Sequence, residues 1–530
     1  MNNNQIQEKK GSQSDLRYFQ LAISVIIFFL LYNFILAFGS LEGSPKHRID
    51  RNFFPYLSEK PLTEDGYYML TVAWNIAAGK GIVYNYDIET TGIQPLATFL
   101  YSVIAFIVQS FNGDKYLFAR AIIIFSSFLQ LLFAYLIYRI AISISKNPAK
   151  GLYFLLSVLV VLLNFKLLLI FDNGLETGLY LIILSTFFLY WLYLITITPV
   201  TKHIISAGLL TGLLILCRLD SMLIWLIFYL ILLIRGKLKL KYLAVILLLA
   251  FLIYLPWQLY IWKVTGNLLQ SSVRSQTSLF IFYDHTFKIE EYFVAIIQHI
   301  TPFLYTGNIL LWPMFLFGLM YIILLIIAYK KYSSIVLTDL SKKMLVILLI
   351  PFLILLIIYF FFSHAPYFYF RYFTFLSVVS LPLFITLFVF LIEKFNQINK
   401  GLLVLIVLCG FIIQAYLYLN SGKSSLAFAV RTEFVKSHFN IQNNIAAYQT
   451  GVLGYYCENV INLDGKMNNE ALLNSNQSKM GQYLDSMKID VLIEWPDIIQ
   501  NNFDEKYLND NWLIYKVDIG DGRTICYVRN

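Results

Sequence analysis

PLTEDGYYMLTVAWNIAAGKG, residues 61–81, sets two adjacent carboxylates, Glu64 and Asp65, directly ahead of a short and mostly apolar segment. The stretch GYYMLTVAWNIAAG can form about three helical turns before Gly79 and Gly81 stop it. That is too short to cross a bilayer, which takes about 20 predominantly apolar residues. Runs long enough to cross lie on both sides of it, the first at 21–38. The quoted stretch therefore belongs to a loop between membrane spans, and the question it raises is why two acids stand at the membrane's edge.

Composition agrees with that reading. Of 530 residues, 59% are hydrophobic and 13% charged, against roughly 25% charged in soluble domains. The chain reads as an α-helical polytopic membrane protein. Its polar N-terminus precedes an apolar run longer than a signal-peptide core and without a small-residue cleavage site, so 21–38 is expected to be a retained first helix. A net charge of +9 says less than where the charges stand, and nothing in the sequence suggests a nucleic-acid partner. Cys217 and Cys409 fall in apolar runs and are expected to be buried. Cys457 and Cys526 lie in a polar region where a disulfide is possible but not indicated by spacing.

Basic residues collect on the cytoplasmic side of membrane proteins. Placing the clusters around Lys9, Lys146, Lys237, Lys330 and Lys394 inside gives about 11 crossings, at 19–39, 116–138, 151–171, 177–198, 204–218, 221–234, 242–262, 304–329, 343–362, 371–392 and 401–418. The N-terminus is then cytoplasmic, and the loops 40–115, 172–176, 218–220, 263–301 and 364–371 lie outside. This holds only if 93–111 does not cross, so that segment is expected to dip in and return or to lie along the surface. After residue 420 the long apolar runs stop. Strand-like runs NVINLD, DVLIEW, WLIYKVD and TICYVR flank a helical stretch at 468–487. The expected organisation is a transmembrane domain at 1–420, whose first external loop (40–115) carries an amphipathic helix, and a small extracytoplasmic α/β domain at 421–530.

Each candidate residue has a structural reading as well as a chemical one. Asp65 can cap the helix that follows it, which leaves Glu64 unexplained. Glu176, in FDNGLETGLY with Asp172, can serve a helix dipole. Arg218 and Asp220, in LLILCRLDSML, can be a simple ion pair between apolar runs. Arg371, near His364, can snorkel. Taken together, these eight residues fall on one outer leaflet, which scattered caps and snorkelling side chains would not require. Carboxylates with a guanidinium at the membrane boundary suit a substrate with a lipid tail and an anionic head. No phosphate-binding GxxxxGK[ST], HExxH, paired CxxC or GxSxG motif is present, and the acids are not spaced as a metal cluster.

EDGYYMLTVAWNIAAGKGIVYN followed by TTGIQPL resembles the first external loop of bacterial GT-C glycosyltransferases, multi-spanning enzymes related to protein mannosyltransferases and aminoarabinose transferases. DNGLETGLYL, LLILCRLDSML, YFRYFTFLSVVSLPL and TGVLGYYCENVINLDGKMNN resemble further elements of that family, so the likeness runs from about residue 60 to 470. Leu219 stands where proline is common, and Glu64 where aspartate is common. The resemblance implies an integral membrane glycosyltransferase that moves a sugar from a polyprenyl-phosphate donor to an acceptor hydroxyl, inverting the anomeric carbon at the outer face of the cell membrane. It implies Asp65 as general base with Glu64 beside it, and a donor set of Arg218, Arg371, Glu176, Asp172, Asp220, His364 and Gln94, with Lys166 a weaker cation. As a base, Asp65 is expected to have a raised pKa, from partial burial and the Glu64 charge. No cofactor or divalent metal is expected. The partners implied are the lipid-linked sugar, membrane lipids and a glycan, lipid or protein acceptor. The rival readings are a transporter of lipid-linked sugars, expected to carry inverted repeats and broken helices that the sequence does not display, and a non-catalytic membrane scaffold.

Overall fold

The structure is a computed structural model of the chain and describes residues 3–38, 62–84, 88–146, 149–275, 289–302, 311–362, 366–394, 409, 412 and 426–530. His364, most of the expected crossing at 401–418 and the expected boundary at 420/421 lie outside the described residues.

Helices dominate as far as residue 394: α1 (Asn3–Phe38), α2 (Glu64–Ala77), α3 (Pro95–Ser110), α4 (Lys115–Ile144), α5 (Lys150–Leu162), α6 (Phe165–Asp172), α7 (Thr177–Thr196), α8 (Thr201–Cys217), α9 (Ser221–Ile234), α10 (Leu240–Thr265), α11 (Ile289–Ile300), α12 (Leu311–Val336), α13 (Asp339–Phe362), α14 (Pro366–Tyr372) and α15 (Ser377–Lys394). Among the described residues, five helical stretches are long and apolar enough to cross a membrane: Asp15–Ile35, Lys115–Ile144, Thr177–Thr196, Leu240–Thr265 and Tyr369–Ile392. The protein is a multi-pass membrane protein. Side chains such as Phe28, Leu31, Leu248 and Phe251 point outward from these helices, where only lipid would suit them. Two of the expected crossings, α8 and α9, are shorter apolar helices.

One expectation is narrowed and one corrected. Residues 95–110 form one uninterrupted helix, so of the two alternatives for 93–111 the turn within the segment falls away and the course along the surface is left open. The expected crossing at 151–171 is broken: α5 and α6 meet at 64°. At the break, the buried Asn164 donates through Nδ2 to the Pro302 carbonyl at 2.6 Å, and the Lys166 ammonium donates to the Gln298 and Thr301 carbonyls at the end of α11. Irregular backbone is tolerated at such depth only when protein groups satisfy it. Elsewhere small residues allow close packing: a Cβ on Gly208 or Gly212 of α8 would come within 2.7 Å of Leu249 or Ile253 of α10.

Helix α2 is buried along residues 66–73 and lies against α3 and the turn between α6 and α7. The Thr63 amide and hydroxyl both donate to the Asn173 carbonyl, at 3.1 and 2.9 Å. A Cβ at Gly66 would collide with that same carbonyl oxygen. Gly66→Ala is therefore expected to destabilise the protein by about 3 kcal/mol, the upper end of overpacking costs because the obstacle is backbone. Thermal unfolding of the purified protein measures it, and an unchanged midpoint would contradict the packing described.

The C-terminal residues form a sheet of five strands in the order β2–β1–β3–β5–β4: β1 (Ile445–Ala447), β2 (Val460–Asn462), β3 (Val491–Glu494), β4 (Trp512–Lys516) and β5 (Ile525–Arg529). β2, β1 and β3 are parallel, with Ile445 opposite both Val460 and Val491; β3–β5 and β5–β4 are antiparallel. Alternation along the strands divides the core. Ala446, Ile461 and Leu492 face one apolar cluster, and Ile445, Val460, Val491 and Ile493 face the other. Four of the strands coincide with the strand-like runs read in the sequence. The expected helix at 468–487 is two short ones, Asn469–Asn476 and Met480–Ser486. All four cysteines are free and Cys409 is exposed, contrary to its expected burial.

Candidate active site

The parallel strands end toward α2. The segment after β1, 448–452, and the segment after β2, 463–467, both leave the carboxyl edge of the sheet, the edge at which open α/β sheets place ligands. Five consecutive amides after β1 are taken by side-chain acceptors. Tyr448 and Gln449 donate to Glu494 at 2.9 and 2.8 Å, Thr450 donates to the Tyr68 hydroxyl at 3.1 Å, and Gly451 and Val452 donate to Glu64. Glu64 and Tyr68 belong to α2, so this run fastens the C-terminal segment onto that helix. Rings add to it: Tyr67 packs against Tyr455 and Tyr456 at 5.0 and 5.9 Å.

The fastening brings the segment after β2 to Asp65. The Lys466 ammonium lies 3.4 Å from Asp65 Oδ1 and 3.6 Å from Asp464 Oδ2, while Arg371 Nη1 lies 3.7 Å from Asp65 Oδ2. Asp65 is not the helix cap. Thr63 caps α2 through its hydroxyl, accepting from the Gly66 amide at 3.2 Å, and Asp65 is the second residue of the helix. Burial works to raise the Asp65 pKa, but Lys466 and then Arg371 outweigh it and hold the carboxyl below its ordinary range. The expected upward shift is thus reversed, because two cations face the group where one neighbouring acid was anticipated. Burial raises Asp464 despite Lys466.

A cavity of about 580 Å³ opens beside this cluster, within the usual size of small-molecule sites. Asp65, Gln94, Glu176, Arg218, Asp220 and Arg371 line it together, and Leu219, Met222, Leu223 and Leu226 give it an apolar wall. Arg218 and Asp220 do form the ion pair the sequence allowed. Nε and Nη2 donate to the Asp220 carboxylate at 3.0 and 2.6 Å, and Tyr359 donates to the same carboxylate. Arg218 also lies 3.7 Å from Glu176 and is stacked between Tyr180 and Tyr372, at 5.1 and 5.2 Å from their ring centres. Its charge is committed within the wall, whereas Arg371 reaches Asp65.

Three candidates fall away from the cavity. Asp172 is fully buried, and neither of its oxygens meets a donor among the described residues. Lys166 caps α11, as described above. Glu64 spends both carboxyl oxygens on the Gly451 and Val452 amides. Burial pushes Glu64 up from 4.5 to about 7, against those two amides and Arg431, although the side chain keeps partial exposure. A raised acid binds its proton more tightly in the folded chain. Its contribution to stability is thus complete below about pH 4.5 and is lost as the pH rises to about 7. Subtracting the thermal-stability profile of Glu64→Gln from that of the wild type is expected to leave a fall across this window; a flat difference would contradict it.

Lys466 and Asp464, together with Tyr359 and Tyr372, are site residues that sequence reading passed over. Lys466 and Asp464 stand in INLDGKMNN, among the motifs quoted, but charges in a polar region look like a solvated loop. Among the described residues no group of three or more His, Cys, Asp or Glu could hold a metal ion.

No protein-family model matches the sequence, and no curated protein does. Solved structures do resemble it. The oligosaccharyltransferase AglB from Archaeoglobus fulgidus, in complex with an inhibitory peptide and a dolichol-phosphate, aligns over 89% of this chain and 69% of its own, with TM-score 0.51 and 13% identity. The Archaeoglobus fulgidus oligosaccharyltransferase in complex with Zn and sulfate aligns over 89% and 68%, with TM-score 0.50 and 10% identity. ArnT from Cupriavidus metallidurans, bound to undecaprenyl phosphate, covers 95% and 97% with TM-score 0.49 and 12% identity. At such identities what the two oligosaccharyltransferase alignments share with this chain is the fold.

Proposed function

We propose, from the premise that this chain has the fold of the GT-C glycosyltransferases, that it is a membrane glycosyltransferase drawing on a polyprenyl-phosphate sugar. The observation that carries the reading is Asp65 facing two cations in the lining of a cavity with an apolar wall. A carboxylate kept ionised can accept a proton; the guanidinium beside it can accept negative charge; the apolar wall suits an isoprenoid. The acceptor is a hydroxyl of a glycan, a lipid or a protein, and the reaction inverts the anomeric carbon. In orientation, the N-terminus is cytoplasmic, the C-terminal segment is extracytoplasmic, and the membrane is the cell membrane.

As the acceptor oxygen attacks the anomeric carbon, its proton passes to Asp65. The bond from that carbon to the phosphate oxygen breaks, and the polyprenyl phosphate leaves with the electron pair. Arg371 meets the charge on that phosphate by charge-assisted hydrogen bonds, with Arg218 behind it holding Asp220 and Tyr359 in the wall. A phosphate that draws Arg371 weakens its hold on Asp65, so donor binding makes the carboxylate a better base. Gln94, Glu176 and Asp220 line the space left for the sugar. One solved neighbour holds Zn, but here an ammonium already lies between Asp65 and Asp464. These residues do not fit a divalent ion, so no step runs through one and no cofactor is proposed.

Mass analysis of lipid-linked sugars and envelope glycans in a deletion strain tests the function. A transferase mutant accumulates unused donor and an under-decorated acceptor. The broken α5–α6 helix, with Asn164 and Lys166 buried at the break, is a feature a transporter would carry. Substrate stranded on the inner leaflet would support that reading and overturn the transferase.

A further inference from the structure

The position of Lys466 has a consequence beyond pairing with the base. Its ammonium stands between two carboxylates from distant parts of the chain: Asp65 on α2, at 3.4 Å, and Asp464 in the segment after β2, at 3.6 Å. The arrangement is built from both sides. Asp464 Oδ1 accepts the Lys466 amide at 2.8 Å, which folds the lysine back over its own neighbour. The Tyr68 hydroxyl lies 3.5 Å from the other Asp464 oxygen. All three charged side chains are largely buried, Asp464 at 9% exposure, Lys466 at 20% and Asp65 at 27%. Two carboxylates converging on one point are what a divalent cation would bridge with oxygen ligands. A lysine ammonium is a compact point charge with three donors and can serve both carboxylates from that point.

We infer that Lys466 is a resident cation, holding Asp65 in position for the acceptor and making the site independent of divalent metal. It is a positioning residue acting through Asp65, and this rests on the proposed function only for the statement about the acceptor. Occupancy of the point by lysine is independent of any activity. Removing the ammonium leaves Asp65 and Asp464 facing the same space with no charge between them, which makes a site for a divalent ion where the wild type has none. Asp65 would then face Arg371 alone, with Glu64 beside it and Asp464 across from it.

The experiment uses the full chain in detergent, with Mn²⁺ as probe. Mn²⁺ binding is read by electron paramagnetic resonance in the wild type, in Lys466→Met, which keeps the apolar stem, and in Lys466→Arg. The expected result is no saturable binding in the wild type or in Lys466→Arg, and one saturable site in Lys466→Met that is lost in Lys466→Met/Asp65→Asn. Saturable wild-type binding that Asp65→Asn removes would overturn the inference, as would a folded Lys466→Met protein without the new site. The wild-type arm decides even if the variant fails to fold. Where transfer is measurable, wild-type activity is expected to survive EDTA, and the acidic limb of the Lys466→Met rate profile to move up by about 1–3 pH units. Wild-type transfer abolished by EDTA and restored by Mn²⁺ would also overturn it. Absence of transfer in every variant, with the binding pattern intact, would count against the transferase and leave the resident cation standing.

Discussion

Asp65→Asn is expected to lower the rate of sugar transfer by about 10²–10⁴-fold, the usual worth of a positioned general base, while binding of the lipid-phosphate donor persists. Asparagine keeps the shape of the side chain and removes the proton acceptor. Lys466 still has Asp464 at 3.6 Å. Arg371 loses the negative partner at 3.7 Å that competes with an incoming phosphate, so donor affinity should hold or rise. The split between rate and binding is what distinguishes a base from a structural ion pair, since loss of a merely structural pair would weaken both. Single-turnover transfer alongside equilibrium binding of a fluorescent polyprenyl phosphate makes the comparison. Full activity in a well-folded Asp65→Asn protein would discard the assignment.

Arg431→Met is expected to destabilise the C-terminal segment by about 3–5 kcal/mol, because it strands a buried charge. Arg431 and Glu494 are 1% and 0% exposed and meet at 2.9 Å. Arg431 also donates to the Gln449 carbonyl and the Thr524 hydroxyl, while Glu494 accepts from the amides of Tyr448, Gln449 and Trp495. Three amides remain for Glu494 once the arginine is gone, too few to repay its desolvation in an apolar surrounding. The damage should travel, since the 448–452 run that Glu494 holds is the one fastened to Glu64 and Tyr68. A fall in transfer at temperatures where the membrane helices remain folded is therefore expected. Arg431→Met/Glu494→Gln should recover much of the stability, because no charge is left unpaired. Thermal unfolding followed through Trp495 and Trp512 checks both variants, and a double variant as unstable as the single one would contradict the account.

Several of the apolar helices were legible because an apolar run leaves a sequence few alternatives. So were Asp65, Arg218, Asp220 and Arg371 as neighbours, since costly charges beside apolar runs must meet something polar. β1 was not. Ile445–Ala447 is three residues long, two of them alanine, and only its pairing with β2 and β3 on either side makes it a strand. The break between α5 and α6 was not legible: 151–171 reads as one apolar run, and what satisfies Asn164 and Lys166 at the break is the end of α11, more than a hundred residues on. Glu64 read as a partner of Asp65 because adjacency in sequence suggests shared work. On a helix, neighbours point apart by about 100°, and these two face different elements. Lys466 was hidden for the opposite reason, its partner lying 401 positions away.

That separation has a bearing on how the protein is made. A chain still emerging from the ribosome, inserted as far as α15, already holds Asp65 and Arg371 but not the lysine that stands between Asp65 and Asp464. Until the 448–452 run closes onto α2, Glu64 and Tyr68 lack the amides that they hold in the finished protein. An incomplete translation product would thus carry Asp65 against Arg371 with neither Lys466 nor Asp464 near it.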